Sequence, residues 1–194
     1  MKKNTNIEKN IFNYKKGFTI IEALVAIFIL TISVTALLGV VSQSVFNSNY
    51  TKNKAIAVGL AQEGVELVKN IQDTTLLNGD YSNSQFEIVF GDINNPLYLC
   101  MFQTGFCTID PISLAISSCP NQDPDQPCPP LNISNTGRYD YSQGGSVSPF
   151  TRIIEVDKTG VGGKSGKVTV TVSWKQGSVT KSVVYETELF MWIQ

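Results

Sequence analysis

Histidine is absent from this chain of 194 residues. That absence removes the commonest general base, the histidine-centred nucleophile triads and the usual imidazole ligands of zinc. Charge is also sparse, at 16% Asp, Glu, Lys and Arg, with a formal net charge of −1. The excess of positive over negative charge lies at the front, where Lys2, Lys3, Lys9, Lys15 and Lys16 face Glu8 alone. The first 17 residues therefore carry about +4 and the remainder about −5, which leaves no basic surface for nucleic acid. No catalytic residue, metal or cofactor is expected, and a membrane-tethered enzyme ranks last among the functional classes.

The chain has one long apolar run. From Phe18 to Val41 it reads FTIIEALVAIFILTISVTALLGVV, about 24 residues and so about 36 Å as a helix, enough to cross a bilayer. Lys15 and Lys16 stand just before it, and the positive-inside tendency keeps that end in the cytoplasm and sends the rest of the chain outward. A conventional secretory signal, with Ser42-Gln43-Ser44 as its small-residue cleavage site, would need a shorter apolar core of about 7 to 15 residues. A plain uncleaved anchor would have no use for Glu22, since a carboxylate costs on the order of 2.5 to 3.5 kcal/mol at the centre of a membrane helix, and less near an end.

Gly17, Phe18, Thr19, Ile20, Ile21 and Glu22 form GFTIIE, preceded by two lysines and followed by the apolar run. This resembles the class III signal of type IV prepilins and type II secretion pseudopilins. The resemblance implies that a membrane-embedded prepilin peptidase cuts between Gly17 and Phe18 and methylates the new amine of Phe18. It also implies that Glu22, fifth in the mature chain, pairs with the terminal amine of a neighbouring subunit during assembly. The physical logic is independent of the family: an ammonium and a carboxylate are each costly in an apolar core, and pairing them largely cancels the cost. Such a pair selects register between subunits more than it adds stability.

Beyond Val41 the periodicity continues with a new character. Ile56, Ala57, Leu60, Ala61, Gly64, Leu67, Val68 and Ile71 project within about 140° of one another, opposite Gln62, Glu63, Glu66, Lys69, Asn70 and Asp73. The pattern predicts one helix from Phe18 to about Asp73, apolar all round in its first half and amphipathic in its second. Gly39 stands where many major pilins carry a helix-bending proline, and AVGLAQEGVELVKNIQD is similar to the phrases that follow the anchor in minor pilins and pseudopilins.

After Asp73 only physical patterning remains. Ser84–Phe90, Phe150–Lys158, Lys167–Lys175 and Val179–Phe190 read as strands; Val168, Val170, Val172 and Trp174 alternate with polar neighbours, and Gln176-Gly177-Ser178 turns the chain. The expected fold class is α+β, a long amino-terminal helix packed on a carboxyl-terminal antiparallel meander. The expected organisation is a cytoplasmic leader over 1–17, a transmembrane and filament-core helix over 18–41, an amphipathic continuation over 42–73 and an extracytoplasmic β-rich domain over 74–194.

Between Gly91 and Pro149 the chain is dense in Gly, Pro, Asn and Ser and reads as a variable, exposed region. It holds Cys100, Cys107, Cys119 and Cys128, whose outward topology favours disulfides; nearest neighbours make the simplest pairs, and three connectivities stay open. Asp123 and Asp125 in NQDPDQP are weak calcium candidates against a solvated loop. Gly160–Lys167 imitates a phosphate loop, but Lys158 stands where the first glycine belongs and strands flank the segment, so a hairpin loop is expected. Tyr139, Tyr141 and Phe150 read as local packing and not as a ligand surface.

Two functional classes emerge. The first is a structural subunit, a minor pilin or pseudopilin, whose partners are other pilin subunits, the prepilin peptidase, the inner-membrane assembly platform and the membrane itself. Its location would be a single pass of the cytoplasmic membrane with the carboxyl-terminal domain outside, then an extracellular or periplasmic filament. The second is an adhesin or DNA-uptake module on a pilin stem, motivated by the long cysteine-containing region.

Overall fold

A computed structural model describes residues 17–78, 96–101, 106–119, 128–159 and 165–190. One helix, α1, runs from Ile20 to Asn78. It starts two residues later and ends five residues later than the sequence pattern suggests. At the start, the Thr19 hydroxyl accepts from the Glu22 amide at 3.3 Å and the Thr19 carbonyl accepts from the Ala23 amide at 3.2 Å, which marks Thr19 as the cap. At the far end, Thr75 returns its hydroxyl to the Ile71 carbonyl at 2.8 Å and stays within the helix. Gly39 lies within α1 without interrupting it.

The chain divides into two compact units, Met1–Asn47 and Ser48–Gln194. In the first, the described structure is the capped start of α1 and the helix itself. Its large apolar side chains are exposed, from Val34 at 47% to Ile20 at 83%. By length and composition this helix can cross a membrane. The hydroxyls of Thr31, Ser33 and Thr35 do not disturb that surface, because each donates to a carbonyl one turn back, at 2.8 to 3.0 Å.

The second unit packs the later part of α1 on an antiparallel sheet. The strands are β1 (Phe106–Ile109), β2 (Ile116–Cys119), β3 (Asn132–Ile133), β4 (Tyr139–Asp140), β5 (Ser146–Val147), β6 (Phe150–Thr159), β7 (Ser165–Gln176) and β8 (Val179–Phe190), with a short 3-10 helix at Pro96–Cys100. The main sheet has the order β2-β1-β6-β7-β8, and a small one has the order β4-β3-β5. The final three strands form the meander that the alternating residues predict. In its core row Ile154 stands opposite Val170 and Tyr185 opposite Val170 on the other side; Gly177, at φ +62°, makes the tight turn between β7 and β8.

The inward residues Phe150, Arg152, Ile154 and Val156 of β6 and Val168, Val170, Val172 and Trp174 of β7 are buried. They meet the stripe Ala57, Leu60, Ala61, Leu67, Val68 and Ile71, which the helical period anticipates; Val65 and Gln72 are also buried and widen it. Gly64 lets the helix approach closely: a Cβ there would lie 2.8 Å from Val170 Cγ1. Three rings close one end, with Trp174 centred 6.1 Å from Tyr50 and 6.3 Å from Phe150. The outer edge is β8, mostly exposed, where Lys181, Glu186 and Glu188 oppose edge-to-edge pairing.

The stretch from Gly91 to Pro149, read from sequence as variable and exposed, is corrected by the structure. Its described residues supply β1 to β5, and Leu97, Cys100, Cys107, Ile109 and Leu131 lie in the core. Glycine and proline content signals turns, and it does not announce short strands between them, of which β1 is buried from Cys107 to Ile109. Disulfides link Cys100 with Cys107 and Cys119 with Cys128. Ser165, Gly166 and Lys167 belong to β7 and not to the preceding hairpin loop. The Ser84–Phe90 strand, Asp123, Asp125, Gly160 and the leader up to Lys16 lie outside the described residues.

Candidate functional site

The segment with a chemical signature is the start of α1. Gly17, Phe18 and Thr19 precede the helix, and Ile20 is its first residue. Glu22 falls in the first turn, where the unpaired amides of the helix end favour a negative charge. Phe18 is 74% exposed, as are its apolar neighbours to lesser or greater degree, so the peptide between Gly17 and Phe18 sits on non-helical backbone beside an accessible ring. Thr19 was not a candidate from the sequence, although Thr-x-x-Glu ahead of an apolar run is the pattern of a helix capping box.

The distal unit contains a second polar focus, and its geometry is that of a structural lock. Arg152 is fully buried on β6. Its Nη1 donates to Glu63 Oε2 at 2.7 Å and to the Leu60 carbonyl at 3.4 Å, and Nη2 donates to the Ile109 carbonyl at 2.8 Å. The guanidinium thus ties α1, β6 and β1 together, leaving Nε without a partner among the described residues. A lone arginine at an inward position of FTRIIEVDK is the signal that could have found it: a buried cation needs partners on the facing element.

Two neighbouring groups hold the small sheet against this lock. Tyr141 donates its hydroxyl to the Arg152 carbonyl at 3.3 Å, and burial pushes its pKa up to about 12 against the lowering pull of the arginine. Burial alone would raise the Asp110 pKa, but hydrogen bonds from Ser113, Tyr141 and Ile112 outweigh it and hold the carboxyl below its usual value. Tyr139 packs edge-on against Phe150 with centroids 5.8 Å apart. These aromatics serve packing. A cleft of about 540 Å³ lies alongside, lined by Thr108, Asp110, Pro130, Asn132, Tyr141 and Ser142 among others. Asp110 is already saturated by its own chain there, so it offers a ligand little. Among the described residues no group of three or more Cys, Asp and Glu is placed to hold a metal ion.

The family described as the prokaryotic N-terminal methylation motif matches residues 12–38. The matched stretch contains GFTIIE and most of the apolar helix, and it is typical of the class III signal of type IV pilins. It supports a pilin-like chain handled by a prepilin peptidase. No curated protein and no solved structure matches. The match ends before the domain from Ser48 onward, so it bears on the start of the chain and is silent on what the domain recognises.

Proposed function

We propose that this chain is the precursor of a filament subunit of the type IV pilin kind, a minor pilin or pseudopilin, anchored in the cytoplasmic membrane with its domain outside and then drawn into a filament. The observation that carries this reading is the methylation motif over residues 12–38, whose described part runs into a helix that leaves its large apolar side chains exposed from Ile20 to Phe46. A soluble domain gains nothing from such a surface; lipid first, and the helices of other subunits later, can cover it.

In this reading the peptidase adds water across the Gly17–Phe18 peptide, leaving the Gly17 carboxylate on the leader and an ammonium on Phe18. Methyl transfer from a methyl donor then converts Phe18 to a secondary amine that keeps its positive charge. The charged nitrogen and Glu22 of a neighbouring subunit pair in the filament core, each relieving the other's desolvation. Lys15 and Lys16 hold the leader on the cytoplasmic side, which orients the chain for both steps.

Amino-terminal mass spectrometry of the protein recovered from its own membranes or filaments tests this directly. The expected result is an N-methylated phenylalanine at Phe18. A mature start after Ser44, or an intact leader on assembled protein, would sink the reading.

A further inference from the structure

We infer that Thr19 is a positioning residue for the processing step, holding the scissile peptide outside the helix; the inference rests on the proposed cut between Gly17 and Phe18. Thr19 makes both bonds of a helix cap. Its carbonyl accepts from Ala23 at 3.2 Å, as the first rung of the helical ladder, while its hydroxyl accepts from the Glu22 amide at 3.3 Å. The second bond satisfies one of the orphan amides of the first turn, and it can be made only if Thr19 itself stays out of helical conformation.

The residues on either side of the cap have the spacing that follows from it. Phe18 and Ala23 occupy the two positions of a hydrophobic staple, the residue before the cap and the fourth of the helix. Ala23 is half-buried, whereas Ala26 and Ala36, on the same exposed helix, are not. Phe18 itself stays 74% exposed, so the entry of the chain into α1 is set by the two bonds of Thr19. Gly17 and Phe18 are left outside the helix.

That matters for the reaction. Attack on the Gly17 carbonyl carbon needs an approach from above the peptide plane with the bond held in a reactive pose. In a continuous helix the carbonyl would be committed to the ladder, and the flanking side chains would crowd its faces. The apolar run supplies no stop signal of its own: from Phe18 inward every residue but Glu22 is compatible with a membrane helix. A cap at Thr19 is what defines where helix ends and substrate peptide begins.

The test is the rate of leader removal from the full-length precursor, co-expressed with a prepilin peptidase and followed by pulse-chase, for Thr19→Val, Thr19→Ser and Thr19→Asn. Valine keeps the branched shape and loses the acceptor; serine and asparagine change the shape and keep it. Removing a cap is expected to slow processing on the order of tenfold for valine, with serine and asparagine within about twofold of the wild type. The thermal midpoint of the domain should be the same in all three. A valine variant cut at the wild-type rate, or an asparagine variant cut more slowly than valine, would show that the peptidase reads side-chain shape and would overturn the inference. A wild-type precursor not cut before Phe18 is a different result: it would remove the parent reading, and this one with it.

Discussion

Val40 and Val68 sit on the same helix in the same backbone conformation, yet Val40 is 69% exposed and Val68 is wholly buried. Burying a valine is worth roughly 1.5 to 3 kcal/mol relative to leaving it exposed, and only the later residue collects that gain within its own chain. The apolar side chains of Ile20–Phe46 are left for lipid or for other molecules, while the stripe from Ala57 to Ile71 is spent on the sheet. One secondary structure thus serves two ends. What separates them is whether the polar residues are confined to one face, as they are after Ser48, or are nearly absent all round.

The sharpest way to break that comparison is to damage one unit and read the other. Glu22→Ala is expected to have the largest functional effect: leader removal proceeds, the domain melts where the wild type does, and filaments fall by an order of magnitude or more. Counting filaments by electron microscopy beside a processing immunoblot checks it, and normal filaments would refute the pairing of Glu22 with a neighbouring amine. Arg152→Ala makes the converse case. It strips partners from the buried Leu60 and Ile109 carbonyls, while Glu63, 41% exposed, can turn to water, and the expected loss is about 1 to 3 kcal/mol. Denaturant unfolding of detergent-solubilised full-length protein should show it, while the rate of leader removal stays unchanged.

Those two variants also divide what the sequence reveals from what it hides. The span of α1, its amphipathic second half, the meander and the pairing of Val168, Val170, Val172 and Trp174 with one face all follow from periodicity, which depends only on local geometry. The anchor's signal is local too, since GFTIIE is contiguous. The contribution of Gly91–Pro149 to the core was not legible, because its strands are two to four residues long where described and carry too few alternations to register a period. Arg152 escaped for a related reason. Its partners Leu60, Glu63 and Ile109 lie 92, 89 and 43 residues away, and no local pattern announces a contact of that range.

The smallest expected effect asks whether the lock around Arg152 extends into the small sheet. Tyr141 donates to the Arg152 carbonyl, and burial raises its pKa from 10.0 to about 12. The folded state therefore holds the phenolic proton more tightly than the unfolded chain does. The contribution is fully present below pH 10.0, and it is lost as pH rises from there toward about 12, where the folded group also ionises. Tyr141→Phe removes both the hydrogen bond and the titration. At neutral pH it should cost about 1 kcal/mol, the ordinary net value of one such bond. Above pH 10 the variant should lose stability less steeply than the wild type, so that the two unfolding curves converge as pH climbs. Denaturant midpoints measured across that range decide it. Parallel pH profiles would mean that the small sheet is held by Asp110 and the packing of Tyr139 on Phe150, with the Tyr141 hydroxyl a bystander. Converging profiles would place it in the same lock that joins α1 to the main sheet, and would leave the anchor, where no such lock exists among the described residues, as the part of the chain that is stable only in company.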